Sequence, residues 1–412
     1  MVSTSMTDLH TYIDAGFDDQ VAFLQKLVRI PSDNPPGDCA PHAEQTANLL
    51  EGLGFSVERH AVPTELCQAN GMISATNLVV RHRFGDGPTI ALNAHGDVVA
   101  PGDGWTSDPY GAEIKDGWMY GRGAAVSKSD FATYAYALKA LIETGAALGG
   151  SVELHLTYDE EVGGVVGSKW LLEQNISKPD FAISAGFSYA VVTAHNGCLH
   201  LEVIVRGTSA HAAKPETGDD ALEAANRILT ELYHHRSDLG ATVSAIEGIG
   251  SPNLTIGLID GGINTNVVPD RVTFRLDRRM IPEEIAADVE AELRQMIIGS
   301  VAGSHGISVD IKRVLLAEPL KPVGNVERLS APLQHHAEAI FNEPIRCLGV
   351  PLYTDARHYA LAGIPTVLYG AGPRSIEQAN AHRADERLPL ADLQKATKVI
   401  SCAIYEMLAS SQ

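Results

Sequence analysis

Little in this sequence suggests a secreted, membrane-spanning or nucleic-acid-binding protein. Among its 412 residues are only five cysteines, scattered and never in a CxxC pair, so we expect reduced thiols rather than a disulfide framework. No apolar run approaches the roughly 18 residues that a membrane-spanning helix needs. The 31 basic residues are outnumbered by 51 acidic ones, giving a formal net charge of −20. Such a field repels phosphate backbones and anionic lipids, so we expect neither nucleic-acid nor membrane binding.

The amino-terminal stretch MVSTSMTDLH has neither a basic start nor an apolar segment, and it therefore predicts no signal peptide. Together with the reduced cysteines, this predicts a cytoplasmic protein. Hydrophobic residues make up 45% of the chain and charged residues 20%, as in ordinary globular proteins. A chain of this length predicts two or three domains.

Helix and strand patterns alternate in residues 1–196. Apolar residues at helical spacing mark DDQVAFLQKLVRI, HAEQTANLLEGLG and DFATYAYALKALIETG as helices. Short apolar runs mark NLVVRHRFG, TIALNAHGD, GSVELHLTYDEE and KPDFAISAG as strands, several of them buried. This alternation predicts an α/β three-layer sandwich with helices on both faces of the sheet.

The pattern changes in residues 197–314. There the order is strand, helix, two strands, helix, strand, which is typical of a small ferredoxin-like α+β domain. Residues 315–412 return to the α/β alternation. We therefore expect a discontinuous catalytic domain, 1–196 with 315–412, into which residues 197–314 are inserted.

The motif HGD places His95 and Asp97 at the end of a strand predicted to be buried, where open α/β sheets build their sites. An imidazole becomes a good metal ligand once a carboxylate fixes its tautomer, and Asp97 is close enough to do so. By itself, this motif fits a partly buried histidine satisfied by a surface aspartate better than it fits a metal site, because short motifs match often.

The motif DEE places three acids, Asp159, Glu160 and Glu161, directly after another strand. Buried acids this close are costly unless a cation neutralises them or one holds a proton. One glutamate could ligate a metal ion while its neighbour takes a proton from water. The alternative is an exposed acidic loop. His382 in AHRADE could join the site, although by itself it fits a surface histidine.

Eight motifs in order carry a resemblance that spans nearly the whole chain: PSDNPPGD, HGD, YGRGA, DEEVGG, SAHAAKP, NTNVVPD, YTDAR and AHRADE. In this order the chain resembles the aminoacylase, glutamate carboxypeptidase and succinyl-diaminopimelate desuccinylase family of cocatalytic zinc hydrolases. The resemblance implies a metal-dependent hydrolase of C–N bonds acting on a small molecule. It also implies that the inserted domain is a lid, which in many members forms the contact of a homodimer.

The resemblance assigns the catalytic residues. His95 would bind one metal, with Asp97 as its orienting partner. Glu161 and His382 would bind the other metal. Glu160 would be the general base.

The resemblance also assigns residues to the substrate. His211 in SAHA would stabilise the developing oxyanion, typically from the partner's lid. Asn266 in NTNVV and Arg279 in DRR would bind the carboxylate or carbonyl of the substrate. Arg357 in YTDAR matches members that grip a substrate carboxylate with the guanidinium fork.

Two acids of the family pattern are absent. The aspartate that bridges both metals belongs at the position of Val126, and a further acid of the first metal belongs where the sequence reads Ala185–Phe187. Asp130 lies one helical turn beyond Val126 and fits a first-turn acid better than a replacement ligand. His195 is the better candidate for a replacement ligand or substrate contact, unless it is an exposed hinge histidine.

We therefore predict one divalent ion per chain (Zn, Mn or Co), held by His95, Glu161 and His382. On this view a double variant, Val126→Asp with Gly186→Glu, should gain a second ion. The leading hypothesis for function is hydrolysis of an amide in a small carboxylate-bearing substrate. One alternative resembles the aromatic offshoot of the family, nitroanthranilate aminohydrolase, which removes an amino group from an electron-poor ring. The other is a non-catalytic protein that binds a small molecule.

Overall fold

The structure, a computed structural model, describes residues 5–409. Residues 1–4, which open the stretch searched for a signal peptide, and residues 410–412 lie outside it. The helices are α1 (Met6–Ala15), α2 (Phe17–Val28), α3 (Ala40–Gly52), α4 (Thr64–Ala69), α5 (Lys128–Glu143), α6 (Ser168–Glu173), α7 (Ala221–Leu239), α8 (Ala286–Gly299), α9 (Glu327–Phe341), α10 (Ala356–Leu361), α11 (Ile376–Ala379) and α12 (Leu390–Leu408).

The strands are β1 (Val57–Ala61), β2 (Thr76–Arg83), β3 (Thr89–His95), β4 (Glu113–Lys115), β5 (Trp118–Tyr120), β6 (Ser151–Thr157), β7 (Phe181–Ser184), β8 (Ala190–His195), β9 (Gly197–Arg206), β10 (Asn253–Gly261), β11 (Arg271–Met280), β12 (Ser308–Ala317), β13 (Arg346–Val350), β14 (Thr366–Leu368) and β15 (Arg387–Pro389). Short 3-10 turns cover Glu160–Val162 and Pro215–Thr217. The chain divides into two compact units.

Unit 1 comprises Met1–Thr193, Pro322–Leu348 and Thr354–Gln412. The strands of its large sheet run in the order β1-β2-β6-β3-β7-β14-β8-β13, and the last two, β8 and β13, continue past the unit boundary. The central strands β6, β3, β7 and β14 are parallel. Alternate residues of β3 explain the layers. Ile90 and Leu92 pack in the core that contains Phe131 of α5, whereas Ala91 packs with Tyr359 of α10. Helices cover both faces, so the predicted three-layer α/β sandwich is confirmed.

Unit 2 comprises Ala194–Lys321 and Gly349–Tyr353. Its antiparallel sheet has the order β10-β11-β9-β12. Leu199, Leu201 and alternate residues beyond them on β9 pack against the apolar faces of α7 and α8. The predicted order of strands and helices in this α+β unit is confirmed. Compared with the predicted insertion of residues 197–314, unit 2 begins earlier, ends later and takes in the separate segment 349–353.

Within residues 5–409, none of the helices has the combination of length and apolarity that crossing a membrane requires.

A candidate metal centre at the carboxyl edge of the large sheet

The HGD and DEE motifs meet because their strands are parallel neighbours. In the pairing of β3 with β6, His95 lies opposite Thr157, so both chains leave the sheet at the same edge. After β6 the chain turns at once into the 3-10 turn Glu160–Val162. The two motifs therefore converge on one side of the sheet, as the sequence predicts.

Four of the predicted residues come together at this edge. His95, Glu160 and Glu161 each offer a ligand atom, and these three atoms all lie within 4.8 Å of one another. Nε2 of His95 lies 3.8 Å from Oε2 of Glu160, and Nε2 of His382 lies 3.4 Å from Oε1 of Glu161. The side chain of His382 is half exposed, which leaves the cluster open to solvent on that side.

Asp97 organises the cluster from behind. It is fully buried, so the alternative of a surface aspartate is wrong. Its backbone carbonyl oxygen lies 2.9 Å from Nδ1 of His95, an arrangement that places a proton on Nδ1 and directs Nε2 toward Glu160. Its carboxylate accepts hydrogen bonds from the backbone N–H groups of Glu160 (3.3 Å) and Glu161 (3.2 Å). Asp97 thus orients the imidazole and fixes the acidic turn together.

Asn34 was not among the predicted site residues. Its side-chain amide donates to the Asp97 carboxylate at 3.0 Å, and it is buried. It belongs to the motif PSDNPPGD, which carried the resemblance but gave no role to this residue. Its contact with Asp97 joins the beginning of the chain to the site.

The electrostatics of the cluster favour a cation. Burial raises the pKa of Glu160 to about 8, with the carboxylates of Glu161, Asp355 and Asp97 adding to the effect and His95 opposing it. Burial opposes charge on His95 as well, but the neighbouring carboxylates raise its pKa well above the ordinary value. Crowded carboxylates beside an imidazole form a donor set that suits zinc and similar divalent ions, so the residues fit the metal that the resemblance implies.

The two positions without acids are filled in different ways. Val126 is half-buried and packs against the core of unit 1. At Gly186 a Cβ atom would lie 2.8 Å from Cβ of Leu368 and 2.8 Å from the backbone nitrogen of Tyr369. No side chain fits there unless the chain at the end of β14 moves. The expectation that a Gly186→Glu change helps to build a second ion site therefore meets a steric obstacle that the sequence did not reveal.

Asp130 is a buried acid at the start of α5. Its carboxylate accepts a hydrogen bond from the backbone N–H of Ala371 at 2.6 Å, and the backbone of Gly186 also bonds to it. Burial raises its pKa to about 7, against which these backbone hydrogen bonds act. The carboxylate thus holds the backbone around Gly186 and after β14 in place, which agrees with the expectation that Asp130 is no replacement ligand.

Glu386 is a second residue that the sequence analysis missed. It is buried and ion-pairs with Arg122 at 2.6 Å. Its Oε1 also accepts hydrogen bonds, at 3.0–3.1 Å, from the backbone N–H groups of Gly123, Ala125 and Val126. Because Glu386 follows His382 by one short turn, it ties the loop that presents His382 to the loop that contains Val126.

Arg357 is buried, and its guanidinium donates to the carbonyl oxygens of Thr354 and Gly163. Gly163 ends the 3-10 turn that carries Glu160 and Glu161. These contacts hold the acidic turn in place. The predicted contact of Arg357 with a substrate carboxylate stays a prediction.

The other predicted substrate residues lie in unit 2. His211 and Asn266 are both exposed and lie in adjacent segments, since the backbone N–H of Ala212 donates to the Asn266 carbonyl oxygen at 3.0 Å. Arg279 is half-buried on β11. His195 is fully buried with its Nδ1 2.9 Å from the carbonyl oxygen of Asn196, so the alternative of an exposed hinge histidine is wrong. The proposed roles of these residues stay predictions.

Comparison with known proteins gives a consistent picture. The profile of Peptidase family M20/M25/M40 matches residues 91–406. The chain is 28% identical over 401 residues to the succinyl-diaminopimelate desuccinylase of Gluconacetobacter diazotrophicus, covering 94% of this chain and 97% of the relative. It is also 28% identical over 398 residues to the enzyme of the same name from Wolinella succinogenes, covering 92% and 97%.

Solved structures share the fold. A di-peptidase from Saccharomyces cerevisiae superposes with a TM-score of 0.77 at 13% identity, covering 99% of both chains. A metallo-carboxypeptidase of family M20 from Sulfolobus solfataricus has a TM-score of 0.75 at 17% identity, covering 95% of this chain and 98% of the other. A dinuclear metal-binding peptidase of the same family from Bacillus subtilis gives 0.67 at 17%, covering 96% and 99%.

Proposed function

Because the chain belongs to peptidase family M20/M25/M40 and is a metal-dependent hydrolase of amide bonds, we propose that it cleaves the C–N bond of a small carboxylate-bearing substrate with one divalent ion per chain. The observation that carries this proposal is the cluster of His95, Glu160 and Glu161, with His382 in contact with Glu161. Zinc, manganese and cobalt all suit such a set of nitrogen and oxygen donors.

The choice of one ion rests on what surrounds the cluster. Val126 offers no donor, Gly186 has no room for a side chain, and the carboxylate of Asp130 is bonded to the backbone of Ala371. The family pattern gives two acids to the first metal, and none of these three residues replaces them. His95, Glu161 and His382 remain as the protein ligands of a single ion with open positions.

The reaction follows from the positions of the acids. A divalent ion held by His95, Glu161 and His382 would supply Lewis-acid chemistry to the scissile carbonyl group. Glu160, whose Oε2 lies 3.8 Å from Nε2 of His95, would take the proton from the attacking water and return it to the leaving nitrogen. Asp97 keeps His95 and the acidic turn in register through this proton transfer.

Substrate recognition is proposed for residues of unit 2 and for Arg357. His211 would stabilise the oxyanion, while Asn266, Arg279 and His195 would contact the carboxylate or carbonyl groups of the substrate. Support for an anionic amide comes from relatives named as desuccinylases, since a succinyl group ends in a carboxylate.

A second candidate is hydrolytic loss of an amino group from an electron-poor aminobenzoate. The observation that favours it is the position of Val126. Ser127, the next residue, bonds through Oγ to the backbone N–H and carbonyl oxygen of His95 at 3.2 and 3.0 Å. An apolar side chain therefore lies beside β3, the strand that carries His95, where the family pattern has a carboxylate. A flat aromatic ring would pack against this apolar side chain more favourably than against a carboxylate.

Metal content and a substrate panel test these proposals together. We would saturate protein purified without chelator with manganese, which prefers oxygen ligands to thiolates, and count the bound ions. N-acylamino acids and a nitroanthranilate would be assayed side by side. One ion with amide cleavage supports the first proposal, and one ion with activity only on the aminobenzoate supports the second. Two tightly bound manganese ions would refute the one-ion site. Near-zero bound metal of any kind, together with a ligand-induced rise in Tm, would favour a non-catalytic binding protein.

We also propose a cytoplasmic homodimer that associates through unit 2. Its edge strand β10 carries exposed apolar side chains, among them Leu258 and Ile259. An exposed apolar edge strand is a surface that sheets commonly pair or cover. Light scattering on the purified chain should give twice the mass of 43.9 kDa, and Leu258→Lys should lower it. A monomer in the unaltered protein would contradict this assembly.

A further inference from the structure

The sheet of unit 2 has one face without helices, and three potential metal ligands meet on it. Leu199 and Leu201 of β9 pack against α7 and α8, so the alternating residues Cys198 and His200 lie on the opposite face. Asp277 of β11 is the direct cross-strand partner of His200. A thiol, an imidazole and a carboxylate are thereby brought together by strand register alone.

These three donors lie close enough together to share one metal ion. Sγ of Cys198 lies 3.2 Å from Nε2 of His200 and 3.6 Å from Oδ1 of Asp277. Nε2 of His200 lies 3.3 Å from Oδ2 of Asp277. Ordinary zinc–sulfur, zinc–nitrogen and zinc–oxygen bonds at tetrahedral angles separate the donor atoms by about 3.3–3.6 Å. The three side chains would need little movement to share one ion.

Access and charge also suit a cation. The thiol is buried, but 35% of the His200 side chain and 31% of the Asp277 side chain are exposed, so a small ion can reach the group from solvent. Arg279 donates to both carboxylate oxygens of Asp277, at 3.0 and 3.1 Å, and this ion pair holds the carboxylate in place. A thiolate and a carboxylate beside one guanidinium leave a net negative charge for an incoming divalent ion.

We propose that Cys198, His200 and Asp277 form a second metal site, built entirely within unit 2, that binds zinc or cobalt. Its sulfur donor distinguishes it from the cluster at His95, which contains only nitrogen and oxygen donors. Thiolate ligands select zinc over the harder manganese. The chain should therefore hold one more ion per subunit with zinc or cobalt than with manganese.

Cobalt provides the test, because a thiolate bound to Co²⁺ gives a charge-transfer absorption in the near ultraviolet that oxygen and nitrogen ligands do not give. The full-length chain is titrated with Co²⁺ alone, and the bound ions are counted. We expect the unaltered protein to show the band. Cys198→Ser should lose the band and bind one cobalt ion fewer. Zn²⁺ should abolish the band in the unaltered protein by displacing the cobalt. In His200→Gln, whose ring is partly exposed, cobalt should bind about tenfold or more weakly at this site.

Cys402→Ser is the matched control. Sγ of Cys402 lies 3.3 Å from Nε2 of His10, but within residues 5–409 this pair belongs to no cluster of three ligands. The band should survive in this variant. The proposal is overturned if the unaltered protein shows no band at saturating cobalt, if Cys198→Ser keeps the band, or if His200→Gln binds cobalt as well as the unaltered chain. Should Cys198→Ser fail to fold, as judged by circular dichroism, His200→Gln decides alone.

Discussion

Replacing Val126 by aspartate tests the one-ion site most directly. If the missing bridging carboxylate were all that prevents a second ion, Val126→Asp would restore it. We expect that it does not, because the other absent acid belongs at Gly186, where a Cβ would lie 2.8 Å from backbone and side-chain atoms of Leu368 and Tyr369. Gly186→Ala alone should lower the free energy of unfolding by roughly 1–3 kcal/mol, the usual cost of overpacking.

The destabilisation expected from a carboxylate at position 126 follows from the burial of that position. Val126 is half-buried in the core of unit 1, so an unpaired carboxylate there should cost roughly 1–3 kcal/mol. An ion at a concentration 100 times its Kd adds about 2.7 kcal/mol to the free energy of unfolding. We therefore expect manganese to stabilise the variant and the unaltered chain by equal amounts, through the one shared site.

The assay is urea unfolding in chelator and in excess manganese, with bound manganese counted, and Val126→Asn serves as the uncharged control of the same shape. The argument from Gly186 is refuted if Val126→Asp binds two manganese ions and gains roughly 2.7 kcal/mol more from the metal than Val126→Asn does.

Three further predictions concern the acids of unit 1. Glu160→Gln should lower kcat by roughly 10²–10⁴-fold with unchanged metal content, whereas Glu161→Gln should lower the metal content itself; equal metal loss in both would mean that base and ligand are misassigned. Glu386→Gln leaves the buried Arg122 without its carboxylate and should lower the free energy of unfolding by roughly 3–5 kcal/mol, measured in urea; a change below 1 kcal/mol would contradict the ion pair. Asp130 has its pKa raised from 3.8 to about 7, so the folded chain holds this proton more tightly and loses stability as pH rises between these values. Relative to Asp130→Asn, the unaltered chain should lose up to roughly 4 kcal/mol from pH 4 to pH 8, and a pH-independent difference would contradict this.

The features that the sequence predicted correctly are those that depend on local pattern and on the ends of strands. HGD and DEE each follow an apolar strand, and parallel strands deliver their carboxyl ends to one edge, so the meeting of His95 with Glu160 could be predicted. The order of elements in unit 2 could be predicted from periodicity for the same reason.

What escaped the sequence depends on contacts between distant segments. Glu386 bonds to the loop of Val126 from 260 positions away in the chain, and nothing local to either segment indicates the pairing. The lack of room at Gly186 comes from Leu368, on a strand that joins the sheet much later in the sequence. The approach of Asp277 to Cys198 requires the register of two strands, which residue patterns do not determine.

The hydrogen bonds to Glu386 have a consequence for the protein without its ion. Three backbone N–H groups of the loop at Gly123–Val126 end on one carboxylate oxygen rather than on anything that depends on a bound metal. The conformation of this loop is therefore determined by contacts within the protein and not by a bound metal. Amide hydrogen exchange at these positions should stay slow after the ion is stripped, while the half-exposed loop of His382 exchanges faster. Because this loop keeps its shape without a bound metal, it can lose its metal-binding side chain in evolution while the rest of the site keeps its structure.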